Sequence, residues 1–411
     1  MTMTSTSTTT APAGAIHPDA TRAASGLVDI PLVGGPLTIR GAVWIEPTER
    51  GIFPRRYLPP AAHRFVDEFM RATMSQSAGI RIAFRTAARQ IELRVLSTRL
   101  ADFVDAPPTM ATYDICANGE VVSTASSDIG TRLVLVDRNL SAVVAGGEAI
   151  LNFALDGQER EYELWLPYAD EVELRGFRAD APVLASSAPS RPRWVHHGSS
   201  ISHGYVASRT TRTWPTMVAQ ASDLELVNLS YAGNAMLDQS TARTIRDTPA
   251  AVISVKLGIN VVNGDVMRLR AFRSAVHGFL DTIRDGHPDT PLLVISPVCC
   301  PPVETTPGPT VRTGSGDTAW FESAGSVDDV AAGKLSLQVI RRELADIVAH
   351  RFRHDPHIGY LDGSDLYGTS DNLRQPMPDN LHPADDVNEL IAERFAAAAF
   401  GANGWTPRSS L

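Results

Sequence analysis

Lysine is almost missing from this 411-residue chain: of 37 basic residues, 35 are arginine and only Lys256 and Lys334 are lysine. No Lys/Arg block forms, and 46 acidic residues give a formal charge of −9, so no phosphate-tracking stripe is present and nucleic acid is not expected as a partner. Cysteine is scarce as well. Cys116, Cys299 and Cys300 are too few for a disulfide framework and show no C-x-x-C metal spacing, which points to a reducing compartment. No segment approaches the roughly 18 uninterrupted apolar residues of a membrane span, and the N-terminus has neither the basic nor the apolar region of a secretory leader. A soluble cytoplasmic protein without a membrane partner is expected. What is abundant is core-forming material: 43% of residues are hydrophobic against 20% charged, enough for more than one domain.

Residues 1–25 are rich in Thr, Ser and Ala with few bulky apolar groups, and are expected to form a disordered tail. From 26 to 184 the chain reads as short β-branched or alternating runs: Leu37 to Trp44, Ile80 to Phe84, Ile91 to Leu96, Thr112 to Cys116, Arg132 to Val136, Ala149 to Phe153, Glu161 to Leu166 and Glu171 to Phe177. Turn signals such as Asn118-Gly119 and Asp156-Gly157 separate them, and one helical candidate, His63 to Ser75, interrupts the series. This spacing predicts an antiparallel β-sandwich resembling a jelly roll. Prolines and serines at 185–192 predict a linker.

Beyond it, from 193 to 404, the pattern becomes β then α. Apolar runs at Trp194 to His196, Leu224 to Leu229, Ala251 to Leu257, Leu292 to Ile295 and Ile358 to Leu361 alternate with helical segments near 213–222, 237–246, 266–285, 328–351 and 385–400. This predicts an α/β domain, a parallel sheet with helices on both faces and its site at the carboxyl ends of the strands. The Pro-, Gly- and Thr-rich stretch 299–326 has no periodicity and is expected to wall or cover that site. Residues 405–411 are expected to be a short tail.

Four clusters fall at predicted strand ends. The first strand runs into Gly198-Ser199-Ser200-Ile201, a turn that can expose a serine; Ser202, two positions after Ser200, breaks the Gly-x-Ser-x-Gly elbow of the α/β-hydrolases. The second ends near Gly233, where backbone can approach a ligand closely. The third ends at Gly258-Ile259-Asn260, and Asp379-Asn380-Leu381-His382 precedes the last helix, a carboxylate spaced to bond an imidazole three residues on. Together they supply a nucleophile, a base with its orienter and three donors for a developing oxyanion, the inventory of acyl transfer.

In this order the clusters resemble the SGNH (GDSL-type) hydrolase superfamily of esterases, deacetylases and some acyltransferases. The resemblance implies a flavodoxin-like three-layer α/β/α fold over about residues 193–400, and an N-terminal domain similar to the jelly-roll modules of carbohydrate esterases. It also implies Ser200 as nucleophile, His382 and Asp379 as base and orienter, and an oxyanion hole of Ser200, Gly233 and Asn260. Ser199 stands where the family usually has Asp, and Val261 follows Asn260 where Asp is common.

The expected activity is that of a serine esterase cleaving a short acyl ester of a small-molecule or carbohydrate substrate, with no metal or organic cofactor. Two alternatives share the residues: an acyltransferase using the same triad, or a carbohydrate-binding protein with a degenerate hydrolase domain. Oligomeric state is not specified by these features. His196, His197 and His203 surround the elbow, but adjacent strand residues point to opposite faces, which argues against a shared metal. Trp214-Pro215 is expected to begin a helix with the indole in the core, and Cys299-Cys300 to pack rather than react.

Overall fold

A computed structural model describes residues 26–59, 67–314 and 319–406. The proposed tail at 1–25 and the first residues of the helical candidate, 63–66, lie outside them. The N-terminal part is a two-sheet β-sandwich. One sheet is ordered Asn139–Val144, Thr131–Val136, Gln90–Ala101, Asp170–Ala179, Ile52–Arg55, Trp44–Pro47; the other runs Val183–Leu184, Arg81–Thr86, Arg160–Trp165, Ala111–Ala117, Glu120–Ser127. Period-two alternation is clearest in Gln90–Ala101, whose Ile91, Leu93 and Val95 point inward against Phe84, Tyr113, Phe153 and Phe177. One pairing departs from the antiparallel expectation: Gln90–Ala101 and Thr131–Val136 run parallel. The strands Glu120–Ser127 and Asn139–Val144 were not legible as such. Both lie at sheet edges and have no fully buried residue, so no buried face imposes a pattern on them.

A short helix, Glu68–Ser75, leaves the sandwich with Asp67 as its cap and buries Met70 and Met74 in the core of the following domain. The sandwich strands end at Leu184 and the parallel sheet begins at Arg193; between them, Ser187 bonds Glu161 through both its hydroxyl (2.6 Å) and its N–H (2.8 Å).

The second domain is a five-stranded parallel sheet ordered Glu225–Asn228, Arg193–His197, Val252–Lys256, Leu292–Ile295, Ile358–Leu361. That order, 2-1-3-4-5, is the flavodoxin-like one, with its switch point beside the first strand. Helices Gln239–Arg246, Leu269–Gly286 and Leu337–Arg351 cover the face carrying Val195, Val227 and Ile253. Helices Trp214–Ala221 and Asp385–Phe395 cover the face carrying Trp194, Leu226 and Leu293. The helix expected over 328–351 starts only at Leu337, because Gly333 takes a left-handed turn (φ +87) and Ser336 caps the helix from Val339 N–H. The stretch 299–326 is not a featureless loop. Thr310–Thr313 and Trp320–Ser323 pair as an antiparallel hairpin. Asp362 caps a single helical turn, Gly363–Leu366. Trp405 and Thr406 are not tail: their N–H groups bond Ala398 and Ala399 carbonyls (2.9 and 2.8 Å). Among the described residues, no helix is long and apolar enough to cross a membrane.

Candidate active site

The strands Glu225–Asn228, Arg193–His197 and Val252–Lys256 are neighbours in the sheet, and the candidate residues Gly233, Ser200 and Asn260 follow their carboxyl ends. After His197 the chain turns at Gly198, where a Cβ would stand 2.6 Å from Ser202 Oγ, and enters a one-turn helix, Ser200–His203. Ser199 is fully buried and caps this turn, its hydroxyl accepting from Ile201 N–H (3.4 Å), so serine serves here as the helix-capping oxygen. Ser200 is the first helical residue, and its N–H has no acceptor within the helix.

The hydroxyl of Ser200 lies 2.9 Å from His382 Nε2, and His382 Nδ1 lies 2.6 Å from Asp379 Oδ2. Asp379 Oδ1 accepts two backbone N–H groups, from Leu381 (3.0 Å) and His382 (2.7 Å). Burial pushes the Asp379 carboxyl up, but the His382 bond and charge and the two amides outweigh it and hold it below its ordinary value. Asn380, between the two, adopts a left-handed φ of +65, which asparagine tolerates, and its carbonyl faces Cys300 Sγ at 3.3 Å.

The three oxyanion candidates come to the same end of the sheet by different means. Gly233 has φ +66 and a Cβ there would stand 2.8 Å from Phe69 Cε1, so both conformation and space require glycine. Asn260 sits in the turn Ile259–Asn263, and its Oδ1 accepts Ala235 N–H (2.9 Å), which commits its Nδ2 to act as a donor. Asn228 ties the first two segments together, donating to Ser202 O (2.9 Å) and accepting from Ser230 N–H (3.0 Å).

Two aromatic rings flank the imidazole, and neither was singled out from sequence. Tyr205 lies 5.1 Å from the His382 ring, and Phe321, on the hairpin, lies 5.6 Å away edge-on. Phe321 N–H also bonds Asp379 O (2.9 Å), so the 299–326 segment buttresses the base. Arg312 on the same hairpin pairs with Asp102 of the sandwich (3.2 Å).

The remaining candidates are packing residues. His196 faces Trp214 (4.8 Å between rings) and Ser254, whereas His197 points to the opposite face and donates to Leu229 O (2.7 Å). Burial holds His196 and His203 well below the ordinary imidazole value and takes His197 to about 4, so these rings are neutral. Among the described residues, no group of three or more His, Cys, Asp or Glu is placed to hold a metal ion. Trp214 opens its helix and is fully buried; Cys299 and Cys300 are buried free thiols.

Residues 192–299 match the GDSL-like lipase/acylhydrolase family, and residues 37–175 match the N-terminal domain of SsfX3. Among solved structures, the chain is similar to the salicylyl-acyltransferase SsfX3 from a tetracycline biosynthetic pathway, at 25% identity and TM-score 0.74 over 91% of this chain and 96% of that one. A protein described as a GDSL-like lipase from Bacteroides ovatus shares the fold at 18% identity and TM-score 0.62, over 90% and 96% of the two chains. So does an active-site mutant of a family two carbohydrate esterase from Clostridium thermocellum, at 11% identity and TM-score 0.56 over 88% and 96%. No curated protein matches in sequence.

Proposed function

From the premise that this chain belongs to the GDSL/SGNH hydrolase family with an SsfX3-like N-terminal domain, we propose that it is a serine esterase acting on a short acyl ester of a small-molecule or carbohydrate alcohol. The observation that carries the reading is the unbroken line Ser200 Oγ, His382, Asp379 at 2.9 and 2.6 Å. Ser200 Oγ attacks the ester carbonyl while His382 Nε2 accepts its proton. Asp379 fixes the tautomer, with the proton on Nδ1, and stabilises the imidazolium. The carbonyl oxygen becomes an oxyanion met by Ser200 N–H, Gly233 N–H and Asn260 Nδ2. Collapse expels the alkoxide, which takes the proton from His382, and leaves an acyl-Ser200. Water, deprotonated by the same imidazole, attacks the acyl carbonyl, and cleavage of the bond to Oγ releases the acid as His382 returns the proton to Ser200. These residues supply nucleophile, base and oxyanion donors, so the scheme requires no cofactor. Three buried free thiols fit a reducing cytoplasm.

A second reading is favoured by the similarity to an acyltransferase over 91% of this chain: the acyl-Ser200 is discharged to an alcohol rather than to water.

The test is turnover of p-nitrophenyl esters from acetate to octanoate by wild type and Ser200→Ala, with and without a panel of sugar and aromatic alcohols. Release of p-nitrophenol that disappears in the variant supports the nucleophile assignment. Free acid as product supports the esterase; a new ester formed with an added alcohol supports the transferase. Inert, folded wild type on every ester would overturn the esterase and favour a transferase that needs its own acyl donor, or a carbohydrate-binding protein with a degenerate hydrolase domain.

A further inference from the structure

We infer that the β-sandwich is a working part of the oxyanion hole, with Arg138, Arg56 and Phe69 acting as positioning residues that hold the loop 228–235 and aim the Gly233 N–H. The inference rests on the acyl-transfer reading above.

The loop leaves the strand Glu225–Asn228, which is the edge of the parallel sheet. Among the described residues no further strand of its own domain lies beyond it, and on that side Arg81 of the sandwich donates to Leu226 O (3.3 Å). Arg56 follows the strand Ile52–Arg55 and is completely buried, with no carboxylate bonded to it among the described residues. Its guanidinium donates to four carbonyls: Nη1 to Asn228 O (3.0 Å) and Ser230 O (2.8 Å), Nη2 to Thr73 O (2.6 Å) and Nε to Gln76 O (2.5 Å). One planar cation thereby ties the helix Glu68–Ser75 to both sides of Leu229. Tyr231 returns the contact, its hydroxyl donating to Arg56 O (3.0 Å). Burial lowers Arg56 to about 10, which leaves it charged at neutral pH.

Phe69 stands on the same helix, and a Cβ at Gly233 would lie 2.8 Å from its Cε1. The guanidinium of Arg138 lies 4.8 Å from the Phe69 ring centroid. Its Nη2 donates to Asn234 Oδ1 (2.5 Å) and its Nε to Asp67 Oδ2 (2.8 Å). The other end of the Asn234 amide donates to Thr73 Oγ1 (3.0 Å), so the side chain next to Gly233 is held at both ends by the sandwich. The backbone presenting Arg138 is unusual. Asp137 and Arg138 form the two-residue connection between Thr131–Val136 and Asn139–Val144, with φ of +48 and +68. Such a type I′ turn is normally built from Asn-Gly, and here an arginine occupies the glycine position with its head against Asn234. Simple domain glue does not require that the contacts converge on the segment carrying an oxyanion donor.

The experiment uses the full chain as wild type, Arg138→Ala, Arg138→Lys and Phe69→Ala; Arg56→Lys is added, with Arg138 carrying the test if that variant fails to fold. Three quantities are read: the phosphonylation rate of Ser200 by an alkyl fluorophosphonate, kcat and KM on p-nitrophenyl acetate, and hydrogen exchange across 228–237. Displacing a positioned donor by about 1 Å costs on the order of 10²-fold. Arg138→Ala is therefore expected to lower the phosphonylation rate and kcat by about 10- to 100-fold with KM little changed, and to speed exchange in 228–237. Arg138→Lys is expected to recover part of both, since an ammonium still donates to Asn234 Oδ1. Unchanged phosphonylation and exchange in Arg138→Ala would overturn the inference, and so would a raised KM at constant kcat, which marks a substrate contact. A folded wild type inert to fluorophosphonate overturns the acyl-transfer reading and the oxyanion role with it; exchange then reports separately whether Arg138 holds the loop.

Discussion

Asp379 binds His382 through both of its carboxylate oxygens: Oδ2 meets the ring at Nδ1 (2.6 Å), and Oδ1 accepts the backbone N–H of the same residue (2.7 Å) as well as that of Leu381 (3.0 Å). The carboxylate thus fixes the imidazole and the turn that carries it. Replacement by asparagine separates the two roles. The amide oxygen stays on the two backbone donors, which places its NH2 against Nδ1 and forces the ring proton onto Nε2, where Ser200 needs an acceptor. Asp379→Asn is expected to fold normally and lose about 10⁴-fold in kcat, with the tautomer change visible by nitrogen NMR. Because the native carboxyl is held below its ordinary value, its contribution to stability is complete above the unfolded value and is lost as pH falls through the folded one. The stability gap between wild type and Asp379→Asn is therefore expected to be constant above that acidic window and to close as pH falls through it.

Asn260 offers a second separation. Its Oδ1 is occupied by Ala235 N–H, so Asn260→Asp preserves that contact while replacing the inward donor by an oxygen. The expected loss in kcat exceeds the roughly 10²- to 10³-fold of Asn260→Ala. Equal activity in the two variants would remove Nδ2 from the oxyanion hole.

Lys256, one of two lysines, is buried in a central strand with no hydrogen-bond partner for Nζ, and burial lowers it to about 7. Lys256→Met is expected to stabilise the fold by roughly 1–4 kcal/mol near neutral pH. Between that value and its ordinary 10.5, the unfolded chain binds more protons at this site than the native one, so its penalty fades as pH rises. Melting curves should show a gap between variant and wild type that is widest below pH 7 and narrows toward alkaline pH.

Val206 adopts φ +71, a strained conformation for a β-branched residue, immediately after the Tyr205 that packs on His382. Relief of the strain offsets the entropy of a glycine, so Val206→Gly is expected to gain about 1 kcal/mol and raise the melting temperature, while kcat falls as Tyr205 loosens. A variant both less stable and fully active would show that the strain does not serve the site.

The alternation of strands and helices and the four clusters were legible because each is written in adjacent residues. Period-two burial marks Gln90–Ala101, and Asp-x-x-His needs only one turn of chain to bring its partners together. Edge strands such as Glu120–Ser127 were not legible, since an exposed strand of Ser and Thr has no buried face to impose a pattern. The hairpin holding Phe321 was hidden for a similar reason: its strands are short and mostly exposed, and tertiary contact with Asp379 gives the ring its place.

Ser200 and His382 are 182 residues apart yet recognisable as candidates, because the clusters that hold them follow one another in order on successive strand ends. Arg56 and Arg138 have no such context. One is among 35 arginines and touches Asn228 from 172 positions away; the other reaches Asn234 from 96. Sequence alone determined which residues are the candidates for nucleophile, base and oxyanion donors, and the order of the elements that carry them. Only the tertiary structure decided that a second domain grips the oxyanion loop, since a guanidinium bonded to backbone carbonyls depends on where the chain passes and not on which residues pass there.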